Sequence, residues 1–282
     1  MGLRINTNTA SLNAQRNLMG TKLGLDKSLE RLSSGFRINR AGDDAAGLAI
    51  SENLKAQIRG LKQASRNASD GVSLVQVAEG SLNEISSIMI RLRELGVQAA
   101  SDTIGPVERQ FLNVEYDQLV SEIDRIAAGT EFNGTQLLSG TGSVLDFQVG
   151  TRNDPNIDRL SFDASKADAN AAALGVNLTS VADKASAQNA LAALDSAIVS
   201  VSAMRADFGA IQNRLQSTIS NLAVSVENMS AANSRIRDVD VAEETAELTK
   251  NNILLNAGTS VLAQANQSAQ SALNLLNKTF QG

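Results

Sequence analysis

The sequence predicts a mainly α-helical protein, in which long helices form a terminal coiled-coil domain and an adjoining helical bundle, with a small β-hairpin. Two observations lead to this fold class. Apolar residues recur every three or four positions over long stretches without proline, which is the pattern of long packed helices. Aromatic residues make up only 3% of the 282 residues, which favours a helical core of Leu, Ile, Val and Ala over a β-sandwich or barrel.

The composition also excludes several classes of function. The chain has no cysteine and no histidine, which removes disulfides, thiolate nucleophiles, ordinary zinc sites and the usual general base. A net charge of −5 argues against sequence-independent binding of nucleic acid, which needs a basic surface. No apolar stretch approaches the roughly 18 residues of a membrane span. We therefore expect no cofactor, no metal site, no nucleic-acid partner and no membrane insertion.

Both ends of the chain carry seven-residue apolar repeats on helices that are rich in Asn, Gln, Ser, Thr and Ala and have few charges. The start "MGLRINTNTA" lacks the apolar core of a signal peptide. A helix with so narrow an apolar stripe is marginal alone in water, so these repeats predict seams that pair with each other or with other copies. A pair of ordinary core helices is the alternative. The predicted polymerisation seams are Ile5, Leu12 and Met19; Leu18, Leu25 and Leu32; and Leu248, Leu255, Leu262 and Leu276.

Adjacent aspartates, Asp43 and Asp44, follow the N-terminal helix in "RINRAGDDAAG". Neighbouring positions on a helix point about 100° apart, so the two carboxylates do not converge on one substrate atom. Acids in the first turn suit an N-cap and the helix dipole. The stretch predicts a joint where a helix is capped, or where subunits form ion pairs through Arg31, Arg37 or Arg40.

Two further stripes predict the next helices. One follows the helical template from Ile85 to Leu92, and the other runs from Leu112 to Ile126 after Gly105-Pro106, a favoured helix start.

The pattern then becomes β-like. "VLDFQVG" and "RLSFD" alternate apolar and polar residues around "TRNDPN", which predicts a hairpin within residues 130–165. An Ala/Asp/Ser-rich stretch at 166–185 follows, and its weak periodicity predicts a connection that would tolerate insertions.

A further long helix is predicted on the C-terminal side of the chain. From Leu191 to Ile236, positions spaced alternately three and four apart are apolar except at Arg205, Gln212 and Asn233. This predicts a seam about 70 Å long, typical of coiled coils, bundles and elongated assemblies.

Long stretches of this chain resemble bacterial flagellin. They are "RINTNTASLNAQRNL", "LSSGFRINRAGDDAAGLAISENL" and "SRIRDVDVAEETAELTKNNILLNAGTSVLAQAN", with "EFNGTQLLSG" and the long 205–236 stretch in the expected order. The resemblance covers about 1–165 and 186–276. Leu215 where the family often has Phe, a missing proline in "ANQSAQ" and the added "NKTFQG" are departures; the last leaves open how the C-terminus is placed.

The resemblance implies a domain organisation. Residues 1–42 and 240–282 would form the terminal coiled-coil domain, and 43–165 with 186–239 would form the bundle with its hairpin. The short connection 166–185 would replace the large variable outer domains of longer flagellins.

The resemblance also implies a mechanism and partners. The chain would be secreted unfolded through the flagellum by an export apparatus, held before export by a chaperone on its C-terminal helix, and added to the filament beneath a cap. Its partners would be itself, as an open helical homopolymer, and the cap and hook–filament junction proteins.

A host receptor is a further implied partner. By the same resemblance, Arg91, Leu95 and Glu115 match positions that a vertebrate toll-like innate receptor recognises, although Leu95 lies near the apolar stripe and could be a packing residue instead.

Three rival interpretations are weaker. A hook–filament junction protein shares the terminal helices, but the full "AGDDAAGLAISENL" and the long C-terminal match favour a filament subunit. A secretion needle or translocator would share the helical, cysteine-free character without these end sequences. An enzyme lacks any nucleophile–base pair or phosphate-binding loop in the sequence.

Overall fold

A computed structural model describes residues 7–279, with side chains as far as Gln267 and at Gln270. It contains five α-helices, α1 to α5, and two small antiparallel sheets built from strands β1 to β4. In chain order they are α1 Thr9–Ser34, α2 Ala45–Ala99, α3 Pro106–Gly129, β1 Glu131–Phe132, β2 Thr135–Gln136, β3 Val144–Gln148, β4 Arg159–Asp163, a 3-10 turn Ala164–Lys166, α4 Lys184–Arg237 and α5 Val241–Thr279. The predicted fold class, mainly helical with a small β-hairpin, is confirmed.

The chain divides into two compact units. The terminal unit takes its residues from both ends, up to Ala56 and from Met229 onward, and the bundle unit is Gln57–Asn228. The predicted domain limits follow helix ends near 42 and 240, whereas the compact units divide within α2 and α4.

The bundle unit is built around the predicted stripes. α3 begins at Pro106 with Gly105 as its N-cap, as the sequence predicts. α4 has 54 residues and starts at Lys184, one to two turns before the predicted seam. Large side chains fill the space between α2, α3 and α4. Those that are fully buried include Leu82, Ile85, Met89, Leu92, Leu95, Tyr116, Ile123, Leu137, Leu138, Leu194 and Phe208.

The predicted hairpin is confirmed as β3 and β4, which pair in antiparallel register from Val144 opposite Asp163 to Gln148 opposite Arg159. Its alternating residues pack on two helices. The ring centroids of Phe162 and Phe208 of α4 lie 4.8 Å apart, with the rings tilted by 43°. The Phe147 ring lies so close to Gly71 of α2 that a Cβ there would meet it at 3.1 Å. The sequence did not predict the shorter β1–β2 hairpin.

The segment 166–185, predicted as a short connection, links the 3-10 turn to α4 and packs against the bundle. Its backbone is tied to α3, since the Asp124 carboxylate accepts the N–H of Ala171 at 2.7 Å and the Asn113 side chain accepts the N–H of Val181 at 2.9 Å. The hydroxyl groups of Tyr116 and Thr179 are hydrogen-bonded at 2.6 Å. It buries Ala167, Ala169, Ala171, Leu174, Val176 and Val181. Alanine-rich sequence hid this role because small side chains give little periodicity.

Candidate functional site

In the terminal unit, α1 pairs with α5 along part of the predicted seams. Leu18, Leu25 and Leu32 of α1 are half-buried. So are Leu248, Leu255 and Leu262 of α5. Seven-residue spacing keeps each series on one side of its helix, as in a coiled coil. Ile5 and the side chain of Leu276 lie outside the described residues.

The other predicted series in α1 points elsewhere. Leu12 is 53% exposed and Met19 is 68% exposed, so neither is used by the pairing with α5. Further large apolar side chains are exposed on the same two helices. They include Leu23 and Leu29 of α1 and Ile253, Leu254 and Val261 of α5. These exposed apolar side chains of the helix pair are here called the open seam: Leu12, Met19, Leu23, Leu29, Ile253, Leu254 and Val261.

Polar contacts fix how α1 and α5 align. The Asn8 amide donates to the carbonyl oxygen of Ala265 at 2.9 Å, and Ser11 Oγ donates to Asn266 Oδ1 at 2.9 Å. Asn8 also caps α1 by accepting the N–H of Ser11. Because a seven-residue repeat is compatible with several alignments, such polar pairs select one of them.

Two close approaches bring the helices together. A Cβ added at Gly258 would lie 3.3 Å from Leu18 Cδ1, and one at Gly24 would lie 3.2 Å from the Asn251 amide. Near the other end of the pair, the Arg31 guanidinium meets the nearly buried Glu244 carboxylate at 3.2 Å. Small, amide and charged groups therefore fill an interface that leucines alone would usually fill.

The joint lies where the chain leaves α1 and where it passes from α4 to α5. Gly35 ends α1 in the left-handed conformation, with φ of 74°. Phe36 then forms a β-bridge with Asp238. The backbone N–H of Arg37 donates to the carbonyl of Arg237 at 2.7 Å, and the N–H of Val239 donates to that of Gly35 at 3.0 Å.

Arg237 is the side chain at the centre of this joint. Its guanidinium lies over the Phe36 ring at 4.7 Å and forms an ion pair with Glu52 of α2. The sequence analysis did not single out Arg237, Phe36 or Glu52, and only the match of "SRIRDVD" to a known family pointed to the region.

Asp44 caps α2, as predicted. Its carboxylate accepts the N–H of Gly47 at 2.8 Å while its carbonyl accepts the N–H of Leu48 at 3.0 Å, the geometry of an N-cap. Gly47 has no room for a Cβ, which would lie 2.5 Å from the Asp44 carboxylate. The Asp44 cap therefore requires glycine at position 47.

Asp43 forms an ion pair with a residue that the sequence analysis did not name. Its carboxylate lies 2.8 Å from Lys27 Nζ and accepts the backbone N–H groups of Arg40 and Asn39 at 3.1 and 3.2 Å. The Lys27 contact, followed by the Arg40 hydrogen bond, lowers the pKa of Asp43 from 3.8 to about 2.

The three predicted arginines have other partners within the chain. Arg31 pairs with Glu244, Arg40 pairs with Glu30 at 3.0 Å, and Arg37 donates to the carbonyl oxygen of Ile236 at 2.8 Å. The prediction missed Lys27 because pairing across a helix end depends on the turn at Gly35, which the spacing of charges does not reveal.

The residues implied as receptor contacts separate into two groups. Arg91 and Glu115 join α2 to α3 at 2.8 Å, with side chains 48% and 44% exposed. Leu95 is fully buried among the core residues of the bundle. Leu95 as a direct receptor contact is therefore corrected, since its side chain packs in the core.

Among the side chains that the structure describes, no three His, Cys, Asp or Glu residues come close enough to hold a metal ion. Over the described part of the chain, no helix is both long and apolar enough to cross a membrane.

Comparison with known proteins gives consistent matches at both ends. The bacterial flagellin N-terminal helical region matches residues 5–143, and the bacterial flagellin C-terminal helical region matches residues 191–276. The chain is 49% identical over 273 residues to a flagellin of Halalkalibacterium halodurans, covering 96% of this chain and 99% of that protein.

Two further proteins extend the comparison. A flagellin of Bacillus subtilis is 47% identical over 305 residues, covering 97% of this chain and all of its own. The crystal structure of Bacillus cereus flagellin is 34% identical, with a TM-score of 0.50, and covers 60% of this chain and 94% of that one. The chain therefore belongs to the bacterial flagellins, in a short form without large outer domains, and is a structural subunit of the flagellar filament and not an enzyme.

Proposed function

We propose that the terminal unit completes its folding only when the subunit joins the filament, after export of the unfolded chain through the flagellum. The observation that carries this proposal is the open seam. Seven large apolar side chains of α1 and α5 are exposed, while half-buried leucines, small residues and polar groups hold the helix pair together. Burying one such side chain contributes roughly 1.5–3 kcal/mol, which neighbouring subunits would supply.

The assembly that follows is an open helical polymer. A contact between two different surfaces of identical subunits repeats without closing when the rotation does not return to its start. The ordering entropy of the terminal helices is then offset by burial at the moment of assembly. Such a subunit would stay monomeric until it meets a filament end.

Truncation tests this proposal. A chain lacking residues 248–282 loses most of α5, and we expect it to stay soluble and helical but not to polymerise. Circular dichroism would report the helical bundle, and electron microscopy of seeded samples would report filaments. The full chain on the same seeds is the control. Filaments from the truncated chain would refute the role of the open seam.

The C-terminal helix is also the proposed site of an export chaperone. From Asn251 to Asn277 the sequence contains no charged residue, so an unpaired α5 presents amide and apolar groups that would associate prematurely. A chaperone that covers this stretch would prevent polymerisation before export. The truncated chain should then fail to bind the chaperone that binds the full chain. The filament cap and the hook–filament junction protein would contact the same terminal helices at the two ends of the filament.

A second function is proposed for the α2–α3 surface of the bundle, where a vertebrate toll-like receptor would bind. The exposed ion pair of Arg91 and Glu115 supports this proposal. Leu95 would contribute indirectly, because its buried side chain packs α2 against the bundle core. Receptor-reporter cells should respond to the pure monomer and respond less to Arg91→Ala. Arg93→Ala is a matched control, because Arg93 is also 48% exposed and pairs instead with Asp195. A full response to Arg91→Ala and Glu115→Ala would contradict this assignment.

A further inference from the structure

An apolar ridge stands on the outer face of α3. Val107, Phe111 and Val114 are spaced by four and three residues, so they lie on one side of the helix, and all three are well exposed. Phe111, at 70%, is the most exposed aromatic side chain of the described residues. Exposed apolar patches are typical of interaction sites.

An apolar cavity opens elsewhere on the bundle, between β4 and α4. Its volume is about 280 Å³. Phe162, Met204, Phe208 and Ile211 line it, and the rings of Phe162 and Phe208, in contact at a tilt of 43°, are almost wholly buried. An apolar cavity of about 150 Å³ is large enough to hold benzene, so this one has room for a phenyl ring.

We propose that the Phe111 ridge of one subunit inserts into the β4–α4 cavity of the next. The ridge is exposed in its own subunit, so it does not fill its own cavity. A filament needs two different, complementary surfaces on each subunit, and the ridge and the cavity are such a pair. This contact belongs to the bundle and would be additional to the open seam of α1 and α5.

Charge supports a second copy as the occupant. Glu108 lies one turn before Phe111 on the same side of α3, and Arg214 lies at the cavity rim one turn after Ile211. Neither residue has an ion-pair partner among the described residues. Lys166 at the rim is already held by Asp163 at 3.7 Å, and Asp207 also lies at the rim. Docking of the ridge would therefore pair Glu108 with Arg214.

The absence of cysteine allows a clean cross-linking test. Phe111→Cys and Ala210→Cys chains, the latter changed at the cavity wall, are mixed, polymerised on seeds and oxidised with oxidised glutathione. We expect a disulfide-linked dimer from the mixed filament, and none from filaments of either chain alone or from unpolymerised mixtures. Leu178→Cys and Ile157→Cys are matched controls, because both replace strongly exposed apolar side chains of the bundle.

The outcomes decide the proposal. A dimer of Phe111→Cys with Ala210→Cys in filaments supports it. Filaments that form without this dimer overturn it. Preferential linking of Ala210→Cys to Leu178→Cys or Ile157→Cys would also overturn it, because another segment would then occupy the cavity. A link that forms in the monomer, in a chain carrying both substitutions, would also overturn it.

A second measurement needs no cross-link. Phe111→Ser should raise the critical concentration for polymerisation at least about tenfold, while circular dichroism of the monomer stays unchanged because the side chain is exposed. Val224→Ser, at an exposed position of α4, should change it little. An unchanged critical concentration for Phe111→Ser would overturn the proposal even if the open seam still drives assembly.

Discussion

The bundle and the terminal unit are both helical, yet they place their large apolar residues in opposite ways. In the bundle, residues such as Leu82, Leu92 and Phe208 are fully inside. In the terminal unit, Leu12 and Met19 are outside, and the buried positions of the α1–α5 pair are Ser11, Ala14, Ser28, Glu244, Asn251 and Ala265. The same helical periodicity therefore gives a closed apolar core in the bundle, whereas in the terminal unit it leaves large apolar residues exposed.

Because of this difference, the bundle core determines the stability of the subunit, and the exposed residues of the terminal unit are available for assembly. A closed apolar core gives the bundle a fold that needs no neighbour. The polar interior of the α1–α5 pair fixes its alignment but contributes less free energy than leucines would, because a net hydrogen bond is worth only about 1 kcal/mol. The large apolar side chains that the terminal unit does not bury itself are exposed to other subunits.

The same substitution in each unit would test this contrast most strongly. Leu92→Ala removes a fully buried side chain and should lower the free energy of unfolding by about 2–5 kcal/mol. Leu23→Ala in α1 removes an exposed one and should change it by less than about 0.5 kcal/mol. Urea unfolding of the monomer, followed by circular dichroism, measures both. Equal losses would erase the distinction between the two units.

Polymerisation should respond in the opposite way, more strongly to a substitution on α1 than to one in the bundle. Met19→Ala should leave monomer unfolding unchanged but raise the critical concentration for polymerisation about tenfold, since burial of such a side chain is worth roughly 1.5–3 kcal/mol. Val199→Ala is the control, because Val199 of α4 is equally exposed but lies in the bundle unit. Sedimentation of seeded samples gives the critical concentration. If both variants polymerise like the parent, exposure on α1 has no special role.

The smallest expected effect is a change with pH in the stability that Asp43 contributes at the joint. The folded pKa of Asp43, about 2, lies below its ordinary 3.8, so between these values the unfolded chain binds more protons and the stability contribution falls as pH falls. The stability difference between the parent and Asp43→Asn should be constant above about pH 4 and shrink towards pH 2. Carbon NMR of the Asp43 carboxyl gives the pKa directly, and a value near 3.8 would show that Lys27 does not hold it.

Local patterns predicted much of the fold. Pro106 marked the start of α3, alternation around "TRNDPN" gave the β3–β4 hairpin, and the run from Leu191 gave most of α4. Asp44 as a cap was also predictable, because capping is a local interaction between neighbours in sequence.

The sequence left three features unseen, and each depends on distant residues. Lys27 meets Asp43 only because α1 turns back at Gly35. Arg237 covers Phe36 through a contact across most of the chain. The 166–185 segment enters the core through small alanines that carry no pattern. The two seven-residue series of α1 looked alike in the sequence, and only packing against α5 distinguishes Leu25 from Met19.

The joint at Gly35 has a consequence for how flagellins diverge. Its crossing is made by backbone hydrogen bonds between Gly35, Arg37, Arg237 and Val239, which almost any amino acid can form. The same joint also depends on particular side chains, since Phe36 lies under Arg237, Asp44 caps α2 and Gly47 has no room for a Cβ. A substitution at one of these positions removes a specific contact, so we expect the joint to diverge less than the solvent-facing positions of the long helices.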